Sequence, residues 1–553
     1  MSQQTIFSLD LLAKSGKPQA YKIHTLQLIF QTRCSNIYVV ILLIMLQNAK
    51  IYSNIYLFQL NYGDFTMKNR KIKVICSAAA LLCCTMLTLS GCGVFLLNNP
   101  SGNKDPEATD TQALEPKSDF DIVQNSYSKQ ITRFKMDLSK EKYGGASVKI
   151  ASTKSNTIVP DETVSTTLSQ ELQRRNKYVE ELLNVSISAV QADSQTMLDE
   201  MQAAVRAGAY YADLVEFPQS YISIYGNAGV LMNLQSLPGL QFDAEYFNPT
   251  GTSAGTGGDM IYALAGYASL NPDSLSAVFF NKGLMEQLQM ESPYALVDRG
   301  EWTMDKYLEY TAALSALDGG YYSYAAQNTA TYLPDLLFFS GGQRLTHSAR
   351  GAYPYINFNA EDTLDLFAKM SAIVYDDNAY GNAISGISAF NEGNTLFLID
   401  RLDVMPIIAN SSAEWGILPL PKYSAEQEAY VSLAYYEDAM FFGAVPTISD
   451  VQKASDVLMA LNMSSYGLTP DAQVKNSAYL YLRDNDSIRM LDIVLKSAAY
   501  DFAYTFANSN NAIPSATFSA VRNTTGGISS LQRYLDMWGA RFENAMYQLF
   551  PVS

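Results

Sequence analysis

Between Ser147 and Phe217 the spacing of apolar residues switches repeatedly between two periods. Ser147–Ser152 alternates apolar and polar side chains, as a strand does. A polar helix is expected over Ser165–Leu183, and Val185–Val190 reads as a second strand. Ser194 can cap the next helix, with Met197, Met201 and Val205 on one face and Gly208 as its stop. Ala212–Phe217 reads as a third strand. Strands separated by helices imply an α/β fold around a parallel sheet. Ligands of such sheets bind just beyond the carboxyl ends of the strands, which marks Glu216, Phe217 and Gln219 as candidate binding residues.

About 410 residues follow position 143, too many for one ordinary core, so at least two lobes are expected. Thr303 is placed to cap a helix that carries Met304, Tyr307, Leu308 and Thr311 at helical spacing. Thr395–Ile399, Gly416–Leu420 and Ala439–Val445 read as strands, and the chain is mostly helical from Asp450, with starts at Thr469-Pro470 and Asp486-Ser487. Asp484-Asn485-Asp486 lacks the glycine and glutamate of a calcium loop and is better explained as a helix cap. Gly251–Gly258 is glycine-rich with no Gly-Lys-Ser/Thr after it, and is expected to be a flexible surface turn.

The N-terminal region carries a separate signal. Met67, Lys68, Arg70, Lys71 and Lys73 open a basic segment, Val74–Leu89 is an apolar run, and Leu89-Ser90-Gly91-Cys92 ends it. The run is shorter than a bilayer span, and basic, apolar and small residues in that order define an export signal. Leu-Ser-Gly-Cys resembles the lipobox of bacterial lipoproteins, in which the cysteine is acylated after cleavage. Residues 1–66 then read as a mis-called leader, 67–91 as the signal peptide and 92–143 as a flexible tether.

The other cysteines, Cys34, Cys76, Cys83 and Cys84, precede the cut, so an exported chain has no internal disulfide or thiolate metal site. His347 is the single histidine after the cut, which excludes a multi-histidine metal site and leaves one imidazole for any triad. From Cys92 onward 29 basic residues face 52 acidic ones, a net charge of −23. Such a surface repels nucleic acid, whose binding needs Lys and Arg on phosphates.

Several segments together resemble family 1 extracellular solute-binding proteins of bacterial ABC importers: Ala207-Gly208 to Asp213, Gly229–Leu234, Phe279-Phe280-Asn281-Lys282, Gly300 to Thr303, Phe390 to Leu398, and Trp415 to Lys422. Arg483–Leu491 is similar to a subset of Gram-positive members. The resemblance implies a two-lobed periplasmic-binding-protein-like α/β fold with discontinuous lobes and a hinge. Lobe one would hold 144–274 and 440–492, and lobe two 275–439 and 493–553.

It also implies a monomer on the extracellular face of the cell membrane, anchored through lipid on Cys92, which captures a sugar or oligosaccharide for permease subunits. No catalytic residue, cofactor or metal is expected. On the second lobe Asp400 and Arg401 follow a strand, and Tyr435, Tyr436 and Glu437 precede a hinge strand. These complete the candidate ligand set, while Trp302 and Trp415 read as structural. Two other readings stay open: an exported glycoside hydrolase, needing two carboxylates about 5–10 Å apart, and a ligand-sensing accessory protein of a membrane kinase.

Overall fold

A computed structural model describes residues 5–11, 24–30, some positions between 127 and 134, and 143–551 apart from 162, 350, 358–362 and 509–527. Cys92 and the expected signal peptide lie outside these residues, as does nearly all of the tether. In the unit Met1–Gln112, β1 (Thr5–Leu11) and β2 (His24–Phe30) form an antiparallel hairpin with Thr5 opposite Phe30. Everything below concerns the unit Ala113–Ser553.

β3 (Ala146–Ser152) leads into α1 (Thr167–Leu183), whose first turn is closed by Thr166 and Ser169 bonding reciprocally. The left-handed Asn184 ends α1 and turns the chain into β4 (Val185–Gln191). α2 (Ser194–Ala207) follows. Its cap is Asp193, not Ser194, because the Asp193 carboxylate reaches the amides of Gln195 and Thr196. Gly208, at φ 60°, ends the helix as expected. β5 (Leu214–Pro218) is buried throughout.

The chain then crosses to a second sheet through β6 (Ser276–Asn281), α3 (Met304–Ala313), β7 (Tyr322–Ala325), β8 (Thr395–Arg401) and β9 (Trp415–Leu418). It returns in β10 (Met440–Gly443) and continues in α4 (Val451–Ser465), α5 (Leu468–Leu480), α6 (Asn485–Lys496) and α7 (Ile528–Leu549). Thr303 caps α3 through the amide of Lys306, and Asp484 caps α6 through that of Ser487. α5 begins at Leu468, after Gly467, so Pro470 stands at the third helical position, two deeper than the first-position proline expected. Among the described residues no helix is long and apolar enough to cross a membrane.

The two sheets have four strands each, in the orders β10-β5-β3-β4 and β9-β6-β8-β7. They are mixed, not wholly parallel. β3 runs parallel to β4 and β5, whereas β10 is antiparallel to β5; β6 is antiparallel to both of its neighbours. In each sheet the antiparallel strand is the one that arrives from the other lobe.

Two segments pack differently from the expected lobe division. α6 lies on the second sheet: Ser487 meets the Tyr294 hydroxyl at 2.8 Å and Asp484 pairs with Lys282. The end of α7 packs on the first lobe, where the Phe550 ring stacks on Tyr262. The glycine-rich stretch is also no loose turn. It forms the helix Pro249–Ala254 and a tight strand pair, all largely buried. Any Cβ on Gly255 or Gly257 would collide with the Ala263 backbone or the Phe550 ring, so these glycines serve close approach.

Trp302 and Trp415 are structural, as read from the sequence. Each is buried with its indole N–H donated to a carbonyl, of Pro419 at 2.9 Å and Ile408 at 2.8 Å respectively.

Candidate functional site

The carboxyl ends of β3, β5 and β8 converge where two chain segments cross between the lobes. Asn271–Ser276 leaves the first lobe for β6, and Tyr435–Met440 returns to it at β10. The crossings are tied to one another: the Tyr435 amide donates to the Ser274 carbonyl at 2.7 Å, and the Asn271 amide side chain to the Asp438 carbonyl at 2.9 Å. The Gln219 amide donates to the Ala439 carbonyl at 2.8 Å. Bending at these few residues would move one lobe against the other.

A chain of charges runs across this junction. Lys154, two residues past β3, pairs with Asp438 at 2.7 Å; Arg401, at the end of β8, pairs with the other oxygen of Asp438 at 2.8 Å and with Asp403 at 2.7 Å. All four side chains are 18–31% exposed, so water screens these pairs only partly. The Arg401 guanidinium also sits 5.3 Å from the centre of the Tyr435 ring. Tyr332 and Tyr435 stack at 4.8 Å, Tyr435 meets Tyr436 at 4.7 Å, and Tyr436 stacks on Tyr504 at 5.5 Å. The tyrosine tier is therefore built from rings of both crossing and flanking segments.

Beside it lies a cavity of about 380 Å³ with walls from both lobes. Asn156 and Thr157 face it from the turn after β3, Asp273 from the first crossing, Asp403 and Met405 from beyond β8, and Thr469, Gln473 and Ser477 from α5. Its volume falls in the range of small-molecule sites.

The predicted residues divide. Arg401, Tyr435 and Tyr436 lie in the junction. Glu437 is beside them but exposed, and accepts the Tyr435 hydroxyl at 3.1 Å. Glu216, Phe217, Gln219 and Asp400 are fully buried and present no surface to a cleft. Phe217 packs on Tyr225 in the core. Gln219 donates its side chain to the Asp501 carbonyl at 2.6 Å. Asp400 accepts three backbone amides, from Gln327, Asn328 and Arg401, and so pins the 327–328 loop to the strand end. Burial lifts its carboxyl to about 6, against the pull of those amides.

Glu216 underlies the site. Its Oε2 accepts the Ser152 hydroxyl at 2.5 Å and the Thr157 hydroxyl at 3.4 Å, which fixes the turn that faces the cavity. Burial raises its carboxyl to about 7, opposed by the Ser152 hydrogen bond and by Arg175. Arg175 is itself fully buried and donates to the Ile158 carbonyl, the Asn176 side chain and Ser465. Burial lowers its guanidinium to about 10, so it stays charged at neutral pH.

Lys154, Asp273, Asp403 and the α5 residues were passed over by the sequence reading, whereas Asp438 belongs to the segment 435–438 that it marked ahead of the hinge strand. The strand-end rule, applied to β3 as it was to β5, reaches Lys154. Nothing in the local sequence marks α5, which joins the site only through tertiary packing on α1.

A family model described as bacterial extracellular solute-binding protein matches residues 166–440. No curated protein matches the chain. Among solved structures, the chain is similar to a family 1 extracellular solute-binding protein from Bifidobacterium longum subsp. infantis, at 12% identity and a TM-score of 0.46, over 73% of this chain and 100% of that one. It is similar to the galacto-N-biose-/lacto-N-biose I-binding protein of an ABC transporter from Bifidobacterium longum, at 11% identity and 0.47, over 74% and 98%. A third is an ABC substrate-binding protein from Listeria monocytogenes, in complex with cycloalternan, at 14% identity and 0.45, over 72% and 99%.

Proposed function

Because the chain belongs to the bacterial extracellular solute-binding protein family, we propose that it captures a small carbohydrate between its lobes and delivers it to the permease of an ABC importer, held at the membrane by lipid on Cys92. The observation that carries this reading is the interlobe cavity. Its walls come from the turn after β3, from the first crossing, from beyond β8 and from α5, so one solute touches both lobes at once. A ligand that contacts both lobes favours the arrangement in which both contacts exist, and so shifts the population toward closure. Mixed lining by hydroxyls, amides and carboxylates beside apolar Leu172, Leu402 and Met405 suits a polyol with one apolar face. The chemistry required is recognition and release, with no bond made or broken.

A thermal-shift screen of mono- and oligosaccharides against the purified chain, followed by calorimetry, tests the capture. A saturable stabilisation by at least one sugar is expected; a flat response across neutral, amino and acidic sugars would exclude a carbohydrate ligand. Radiolabelled palmitate tests the anchor. Label should enter the chain and be lost in Cys92→Ala, and label persisting in that variant rules the anchor out.

A further inference from the structure

Around the interlobe cavity, the buried side-chain atoms without a partner are carboxylate, amide and hydroxyl oxygens. Asp403 commits Oδ2 to Arg401 and leaves a buried Oδ1 without a partner. Gln473 directs its amide N–H at Ser477, 3.4 Å away, and leaves Oε1 unpaired. Thr469, only 8% exposed, has an unpartnered hydroxyl. Asp273, on the first crossing, makes no hydrogen bond or ion pair among the described residues and stands close enough to Lys154, Asp403, Asp438 and Arg401 to feel their charges. No lysine or arginine is among the described residues that line the cavity. The nearby cations are engaged elsewhere: Lys154 on Asp438, Arg401 on Asp438 and Asp403, and Arg175 on the Ile158 carbonyl and its neighbours.

An entering solute therefore meets these buried acceptors and two carboxylates, with the amides of Asn156 and Asn476 and the Tyr481 hydroxyl as neutral partners and no cationic one. A hydroxyl or ammonium group supplies the donors that these atoms lack. A carboxylate or phosphate would add negative charge where three carboxylates, Asp273, Asp403 and Asp438, already outnumber Lys154 and Arg401, with no free cation to offset it. We propose that the cavity selects a hydroxyl- or ammonium-bearing solute without negative charge, with Asp273 and Asp403 as the specificity-determining groups that reject uronates and sugar phosphates. This inference rests on the capture of a carbohydrate in that cavity.

The test uses the full chain and three sets of probes in a thermal-shift screen: neutral oligosaccharides, glucosamine oligomers, and oligogalacturonates with glucose 6-phosphate. Each hit is then titrated by calorimetry. Every hit is expected in the first two sets. For the strongest hit, Gln473→Ala should weaken binding about 5-fold by removing an acceptor. The uronate form of that sugar should bind at least about tenfold more weakly than the sugar itself, and Asp273→Asn should narrow that gap about 3-fold. Asp273 makes no hydrogen bond or ion pair among the described residues, so this variant changes chiefly charge; Asp403→Asn provides the second reading.

A hit confined to the acidic set overturns the inference but leaves carbohydrate capture standing. So does a gap that neither asparagine variant changes. An affinity unaffected by Gln473→Ala places the ligand outside this cavity and also overturns it. No hit in any set removes the capture reading itself.

Discussion

Glu216→Gln is the substitution for which the geometry yields a signed magnitude. The Glu216 carboxyl lies fully inside the protein, and burial moves it from 4.5 to about 7. A carboxyl that is harder to ionise in the fold than in the open chain favours the folded state while protonated. That contribution is present at low pH and is lost as pH rises from 4.5 through 7. Each tenfold difference in proton affinity is worth about 1.4 kcal/mol, so this group alone should reduce stability by roughly 2.5 kcal/mol between pH 5 and pH 8. Glutamine keeps the shape and a hydrogen-bonding partner for Ser152 but cannot titrate. The quantity to measure is the difference in unfolding free energy between the two proteins, from urea titrations at pH 5, 6, 7 and 8. Other titrating groups, Asp400 among them, largely cancel in that difference. The variant should gain on the parent steadily with pH and level off above 7. A difference that stays constant from pH 5 to 8 would show that Glu216 is not held neutral by burial, and the argument would fail.

Replacing the buried Phe217 by alanine should cost about 3–5 kcal/mol of stability, measured by urea unfolding, since its ring fills core space against Tyr225; a loss below about 1 kcal/mol would contradict the packing. Arg175→Met strands the Asn176 side chain and takes away the positive charge that holds Glu216 down, so stability should fall by about 3–5 kcal/mol and the titration attributed to Glu216 should move to higher pH. Glu437→Ala removes an exposed carboxylate whose hydrogen bond is to Tyr435, and the unfolding free energy should stay within about 0.5 kcal/mol of the parent.

The order of strands and helices was legible because each element carries its own period and its own stops. β3, α1, β4, α2 and β5 all lie within a few residues of where alternation, Gly208 and the polar turns place them. Helix starts were less sharp where two capping side chains stand side by side: Asp193 outcompetes Ser194, and Asp484 outcompetes Asp486. The glycine-rich stretch misled because glycine signals both loose turns and close contact, and what it approaches, Ala263 and Phe550, lies elsewhere in the chain. For the site, the strand-end rule located the right edges of both sheets but not which side chains point outward. Glu216, in the middle of β5, and Asp400, one residue before the end of β8, turn inward to hold neighbouring loops, whereas Lys154 and Asp403, just past their strands, reach the junction. Residues on α5 had no local mark, because their place depends on how that helix packs on α1.

The antiparallel strand β10 has a consequence for the order in which this chain can be completed. β5 waits for a partner whose first residue, Met440, is roughly 220 positions further on, opposite Pro218. Until that segment emerges, one edge of β5 is an open row of backbone donors and acceptors, and the loop that must close is long. The second sheet has no such delay, since its four strands all lie between Ser276 and Leu418. During synthesis from the N-terminus, the sheet encoded second is therefore the first that can close, and the one encoded first must remain unfinished until almost four fifths of the chain exists.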